Sequence, residues 1–190
     1  MLKTAVSFAL LLILAACEPS FAPGHQERQA VNLRIATFNI AMGLSEQGQL
    51  GQALARDDDP RLLQLAEILQ RVRPDIILLN EFDYDPDTQS ASLFIQNYLA
   101  QSQNDQPPIH FPYSFRAEVN TGLDSGMDLN NNGKTGEAGD AYGYGDFPGQ
   151  YGMLVLSQVP LQPEYSRGFQ NFLWSMLSIT YYQRFGDFAP

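Results

Sequence analysis

VNLRIATFNI (residues 31–40), DPRLLQLAEILQRVRP (59–74) and DIILLNE (75–81) stand in that order along the 190-residue chain. The first block is rich in β-branched and apolar residues. It reads as a strand buried on both faces that ends at Asn39. In the second, Asp59 is an N-cap and Pro60 occupies the first helical position. Leu62, Leu65, Leu69 and Val72 then recur at helical spacing, and Ala66 and Ile68 widen the stripe. Pro74 stops the helix. The third block is a second buried strand, closed by Glu81. Residues 41–58 read as a loop containing Gly and Gln.

Strand–helix–strand reads as a parallel unit, and parallel strands end on the same edge of their sheet. Asn39 and Glu81 therefore meet at the edge where α/β proteins bind ligands. A carboxylate beside an amide suits a hard divalent cation, which takes oxygen ligands and often only one or two carboxylates. Two polar residues that merely open loops would give the same pattern.

Further along, residues 83–87 (DYDPD) form a turn. A helix from about Thr88 to Gln101 turns Leu93, Phe94, Tyr98 and Leu99 inward. Phe111 to Val119 forms a strand that Pro112 limits. Residues 120–150 are loop-like and hold eight of the 15 glycines. YGMLVL (151–156) is a short buried strand, and no internal repeat is visible.

The segments LRIATFNI (33–40), RPDIILLNEFD (73–83) and GQYGMLVLSQVPL (149–161) resemble the endonuclease/exonuclease/phosphatase family, with its DNase-I-like fold. The resemblance spans about residues 31–174. It implies an α/β protein, here part of a four-layer αββα sandwich, that hydrolyses phosphate esters with Mg²⁺ or Mn²⁺. Asn39 then matches the residue that helps bind metal and phosphate, and Glu81 matches the metal-binding glutamate. The family pattern also needs a later D-x-N pair and a terminal Asp–His pair that activates water. Neither is present. His25 and His110 lie outside such a context. Asp128-Leu129-Asn130 fits D-x-N in letters but precedes the YGMLVL strand. The expectation is a domain represented by its N-terminal part over 31–174, with 175–190 an atypical tail, and weak or no turnover because these groups act as a unit.

Residues 1–17 (MLKTAVSFALLLILAAC) pair Lys3 with an apolar run too short to cross a bilayer, which takes about 20 residues. The end, Leu14-Ala15-Ala16-Cys17, resembles a bacterial lipobox, so Cys17 is the expected lipidation site. Residues 18–30 read as a flexible tether. This arrangement implies a lipid-anchored protein of the cell envelope, with the outer membrane favoured, whose partners are a membrane and a phosphate-ester substrate. One cysteine excludes an internal disulfide framework. A net charge of −10, from 11 Lys+Arg against 21 Asp+Glu, argues against a simple electrostatic nucleic-acid binder.

A second motif, DLNNNGK (128–134), is the opening of a calcium loop. Asp128, Asn130, Asn132 and Lys134 occupy positions 1, 3, 5 and 7, and Gly133 the sixth. Position 12 is Gly139 instead of a glutamate, with Asp140 adjacent. An Asn/Gly turn explains the same letters. The second function class is thus a non-catalytic, Ca²⁺-binding surface lipoprotein. The other features read first as structural: Asp57-Asp58-Asp59 as cap and turn; Asp83, Asp85 and Asp87 as turn residues, one of which could support the metal; Arg116 as an edge-strand surface residue that could also meet a phosphate; and Tyr142, Tyr144, Phe147 and Tyr151 as packing for the Gly-rich loop, with stacking on a ligand as the alternative.

Overall fold

The computed structural model describes residues 31–86 and 89–172. The expected leader with Cys17, the tether, Asp87 and the residues from 173 onward lie outside the described residues. Strand β1 (Ile35–Met42) is followed by α1 (Gln49–Ala55), α2 (Pro60–Val72) and β2 (Ile76–Phe82). Then come α3 (Ser90–Leu93), which continues as a π-helical turn over Phe94–Leu99, and strands β3 (Tyr113–Phe115) and β4 (Met153–Ser157). The four strands form one mixed sheet in the order β1-β2-β4-β3. β1 and β2 are parallel, as the sequence requires; β4 runs antiparallel to β2, and β3 to β4. This is a mixed α/β architecture, consistent with part of a DNase-I-like sandwich. Among the described residues, no helix is long and apolar enough to cross a membrane.

Side-chain alternation along each strand decides which face is buried. Ala36 and Phe38 of β1, Ile77 and Leu79 of β2, and Leu154 and Leu156 of β4 share one face, because they are paired in register. They join Leu50 and Leu54 of α1, Leu62 and Leu69 of α2, and Phe94 and Tyr98 in one hydrophobic core. The opposite face presents Ile35, 70 % exposed, with Met153 and Tyr113 also exposed and Leu78 and Val155 half-buried. The first strand is therefore not buried on both faces. It is an edge strand, and no described layer covers its outer side.

Local chemistry sets the helix ends. The Asp59 carboxylate accepts from the N–H groups of Arg61 (2.9 Å) and Leu62 (3.4 Å), which satisfies two orphan donors of α2. Arg73, in the left-handed conformation, ends it by donating its N–H to Leu69 O. The inward stripe of α2 is Leu62, Leu65, Ala66 and Leu69, with Gln70 buried beside it. Ile68 and Val72, expected to belong to it, are more than 40 % exposed. Gln70 is satisfied at both ends: its Nε2 donates to Leu99 O and Gln101 O, and its Oε1 accepts from Gln103 N. This ties α2 to the segment after the π turn. Tyr98 is fully buried, and its hydroxyl donates to Ala53 O at 3.0 Å, joining α1 to the same segment.

Three further expectations change. The loop 41–58 contains α1, whose Leu50, Ala53 and Leu54 have the i, i+3, i+4 spacing of a short amphipathic turn. The expected strand 111–119 shrinks to three residues. The expected strand 151–156 begins at Met153, because Tyr151 is left-handed with φ 57° and ends the preceding turn.

Candidate functional site

The C-terminal ends of β1 and β2 and the entry to β4 converge on one edge of the sheet. Asn39 and Asn80 are register partners, and Asn80 pairs with Met153. Asn39 Nδ2 donates to Glu81 Oε1 at 2.7 Å, so the two residues singled out from the sequence touch. The Asn39 amide is held in one orientation, since its Oδ1 accepts the Ala41 N–H at 3.0 Å.

Simple alternation would send the Glu81 side chain to the face opposite Asn80. Two local devices re-aim it. The β1–β2 register shifts between Asn39 and Met42, with Ala41 at φ 51°. Glu81 itself stands at φ 57°. A left-handed non-glycine residue costs of order 1–3 kcal/mol and is held only by its surroundings. Here the holder is Asp83, which is 5 % exposed. Its Oδ2 accepts the Leu44 N–H and its Oδ1 the Tyr151 N–H, both at 2.9 Å. Gln150, also buried, works in parallel: its Nε2 donates to Leu44 O at 2.7 Å, and its Oε1 accepts the Asp146 N–H at 2.6 Å. The loops after β1, after β2 and before β4 are thus clamped together beside Glu81.

Burial pushes the Asp83 carboxyl above its usual range, with Glu81's charge adding to it and the two N–H bonds opposing. The clamp also seats Tyr151. A Cβ at Gly43 would stand 2.1 Å from Tyr151 Cδ1, so the ring lies directly over that glycine. Desolvation, together with Tyr144, Asp146, Glu81 and Asp83, raises the Tyr151 phenol above its ordinary value. The sequence reading assigned Asp83 to a turn, with metal support as the alternative, and Tyr151 to loop packing or ligand stacking. The clamp itself did not show there, because it depends on partners 39 to 68 residues away.

The other candidate residues lie elsewhere. Asp128 accepts from the N–H groups of Asn132 (3.1 Å) and Gly133 (2.8 Å); Asn130 Oδ1 also accepts from Asn132 N, and Asn132 Oδ1 from Lys134 N. Asn132 Nδ2 and Lys134 Nζ both contact Glu137. Asp140 is fully buried and accepts from Leu129 N and Glu137 N, which closes the loop. Among the described residues, no group of three His, Cys, Asp or Glu could hold a metal. His110 precedes β3, whose Tyr113 pairs with Ser157 and so with the start of β2. It belongs to the end of the sheet opposite Glu81. Arg116 is not a plain surface residue: its guanidinium lies 5.5 Å over the Tyr84 ring, and Nη1 donates to Asp85 O. Tyr142 and Tyr144 project outward, each more than 60 % exposed, and so pack no loop.

No curated protein and no solved structure matches the chain. The model of the Endonuclease/Exonuclease/phosphatase family matches residues 36–184, from β1 through the Asn39–Glu81 edge and beyond β4. On that match over most of its length, the chain belongs to the endonuclease/exonuclease/phosphatase family.

Proposed function

We propose that this protein is a divalent-metal-dependent phosphoesterase domain in which Glu81 holds the metal and Asn39 contacts metal and phosphate. The family is one of phosphoesterases and nucleases and is in general divalent-metal dependent. The observation that carries the residue assignment is the 2.7 Å contact between Asn39 and Glu81 at the strand-end edge.

The donor set fits a hard cation. Glu81 offers its second carboxylate oxygen, Oε2, beside the one that accepts from Asn39. Asn39 retains one unused N–H on Nδ2 and a second lone pair on Oδ1. It can therefore orient a phosphoryl oxygen beside Glu81 without losing either of its own bonds. When bound, Mg²⁺ or Mn²⁺ would supply Lewis-acid polarisation of that oxygen. Tyr151 and the Asp83 clamp keep the surrounding loops closed. A histidine base is not among the described residues at this edge, so hydrolysis by this chain is proposed to be slow relative to binding.

The decisive experiment is a Mn²⁺ titration of the wild-type chain and of Glu81→Gln, followed by electron paramagnetic resonance. One site is expected in the wild type, weakened at least tenfold in the variant, with unchanged circular dichroism. Equal Mn²⁺ affinity in both would refute the assignment. Rapid turnover of a chromogenic phosphodiester in Mg²⁺, abolished by Glu81→Gln, would refute the slow-hydrolysis reading.

The reading extends to location: Cys17 is lipidated and tethers the domain to the envelope membrane, testable by radiolabelled palmitate incorporation in wild type and Cys17→Ser. A calcium role for the 128–140 loop is supported by the oxygen side chains of Asp128, Asn130 and Asn132, which already cluster around its backbone.

A further inference from the structure

A cavity of about 240 Å³ opens among the loops after β1, after β2 and before β4, the same loops that the Asp83 clamp joins; Asn39 and Glu81 do not themselves line it. Tyr84 forms one wall; it follows Glu81 by three residues, so their Cα atoms are at most about 11 Å apart. Gly149 lines the cavity as well; its carbonyl accepts the Tyr84 N–H at 2.8 Å, two residues before the clamped Tyr151. The remaining walls are Gln47, Pro86, Val119, Leu123 and Pro148, and Glu118 is the charged residue among the lining side chains. Gln170 closes one side: its Nε2 donates to Val119 O, and its O accepts from Asn120 Nδ2.

Size and charge together limit the occupant. An apolar cavity of about 150 Å³ holds a benzene ring, so this one takes a ring or a short chain. No lysine or arginine lines it, and Glu118 repels anions. The surrounding loop, residues 117–150, carries Glu118, Asp124, Asp128, Glu137, Asp140 and Asp146 against Lys134 alone. The cation next to this loop, Arg116, lies 5.5 Å over the Tyr84 ring and already donates to Asp85 O, so a second phosphate would have to compete for it against these carboxylates.

We propose that this cavity receives the uncharged, apolar leaving group of a phosphate ester whose phosphoryl lies at Asn39 and Glu81. The proposal rests on the metal-site reading above. In the hydrolysis it implies, a water oxygen bonds to phosphorus and the ester P–O bond breaks. The leaving oxygen takes up a proton and departs as an alcohol or phenol. The substrate is then a monoester or diester with one small apolar substituent, not a polyanion.

The test is calorimetry on the full chain in Mg²⁺ with inorganic phosphate, phenyl phosphate and pyrophosphate as probes. Phenyl phosphate is expected to bind at least about tenfold tighter than inorganic phosphate, the effect of burying one ring. Leu123→Trp, which fills the cavity, should erase that preference while keeping the affinity for inorganic phosphate. Leu123→Ala, which widens it and threatens folding less, should reduce the preference. Equal binding of phenyl and inorganic phosphate, or pyrophosphate as the tightest probe, overturns the proposal alone. If no phosphate binds in Mg²⁺, the metal-site reading falls and the leaving-group assignment falls with it.

Discussion

Replacing Asp83 by alanine strands one buried and one part-buried donor, the N–H groups of Leu44 and Tyr151, each of which now meets a carboxylate oxygen at 2.9 Å. A buried donor left unpaired costs about 1–3 kcal/mol. Two of them give about 2–5 kcal/mol, after some relief from no longer burying a charge. The whole stability of such a domain is about 5–15 kcal/mol, so Asp83→Ala should remove a large fraction of it. Asp83→Asn keeps one acceptor and turns an NH₂ toward the other N–H, so about half the loss is expected. Urea unfolding followed by tyrosine fluorescence and circular dichroism reads both values. The slope against urea should stay unchanged, since the same surface is exposed. The clamp also predicts a local effect: in a folded Asp83→Asn, Mn²⁺ affinity should fall severalfold, because the left-handed Glu81 loses its support. An Asp83→Ala variant that costs less than about 1 kcal/mol, or an Asn variant with wild-type Mn²⁺ affinity, would show that the loops are held by other contacts.

Other consequences are equally direct. Gly149 has φ 92°, and a Cβ there would stand 2.0 Å from Tyr84 O, so Gly149→Ala should cost at least about 2 kcal/mol in thermal or urea unfolding; a smaller loss would mean that the turn relaxes freely. Asp59→Ala should cost about 1 kcal/mol through loss of the α2 cap. Burial opposes ionised Asp59, but Arg61 and the amide N–H bonds outweigh it and hold its carboxyl below the ordinary value of 3.8. Its contribution is therefore complete above that value and fades as pH falls through the lowered one; a wild-type minus Asp59→Asn stability difference that grows on acidification contradicts the sign. Calcium should raise the melting temperature of the wild type but not of Asp128→Ala, with magnesium much weaker; identical shifts in both proteins would remove calcium from the 128–140 loop.

The path from letters to site was short for some residues and closed for others. Asp59-Pro60, the leucine repeat and Pro74 announce α2 with its ends, because capping and periodicity are local. The parallel pairing of β1 and β2 follows from the helix between them, and it alone brings Asn39 to Glu81. The short helix α1 was hidden among Gly and Gln, since two turns carry little periodic signal. The outer face of β1 misled in the other direction: a stretch rich in β-branched and apolar residues looks the same whether one face or both are covered. Ile68 and Val72 matched the helical stripe, yet stand more than 40 % exposed at the rim of an open pocket that they share with Ala36 and Phe38 of the edge strand.

What the sequence alone determined, then, was the parallel unit, the α2 boundaries and the two residues at its strand ends, all products of contacts within a few residues or of a single crossover. Tertiary structure decided how those residues are presented. The Asp83 and Gln150 clamp beside the left-handed Glu81 and the ring of Tyr151 over Gly43 join residues 39 to 108 positions apart, and the cavity behind Tyr84 gathers residues from Gln47 to Gln170. A backbone strained at one residue is stable only when distant groups complete its hydrogen bonds, and no local pattern records which distant groups those are.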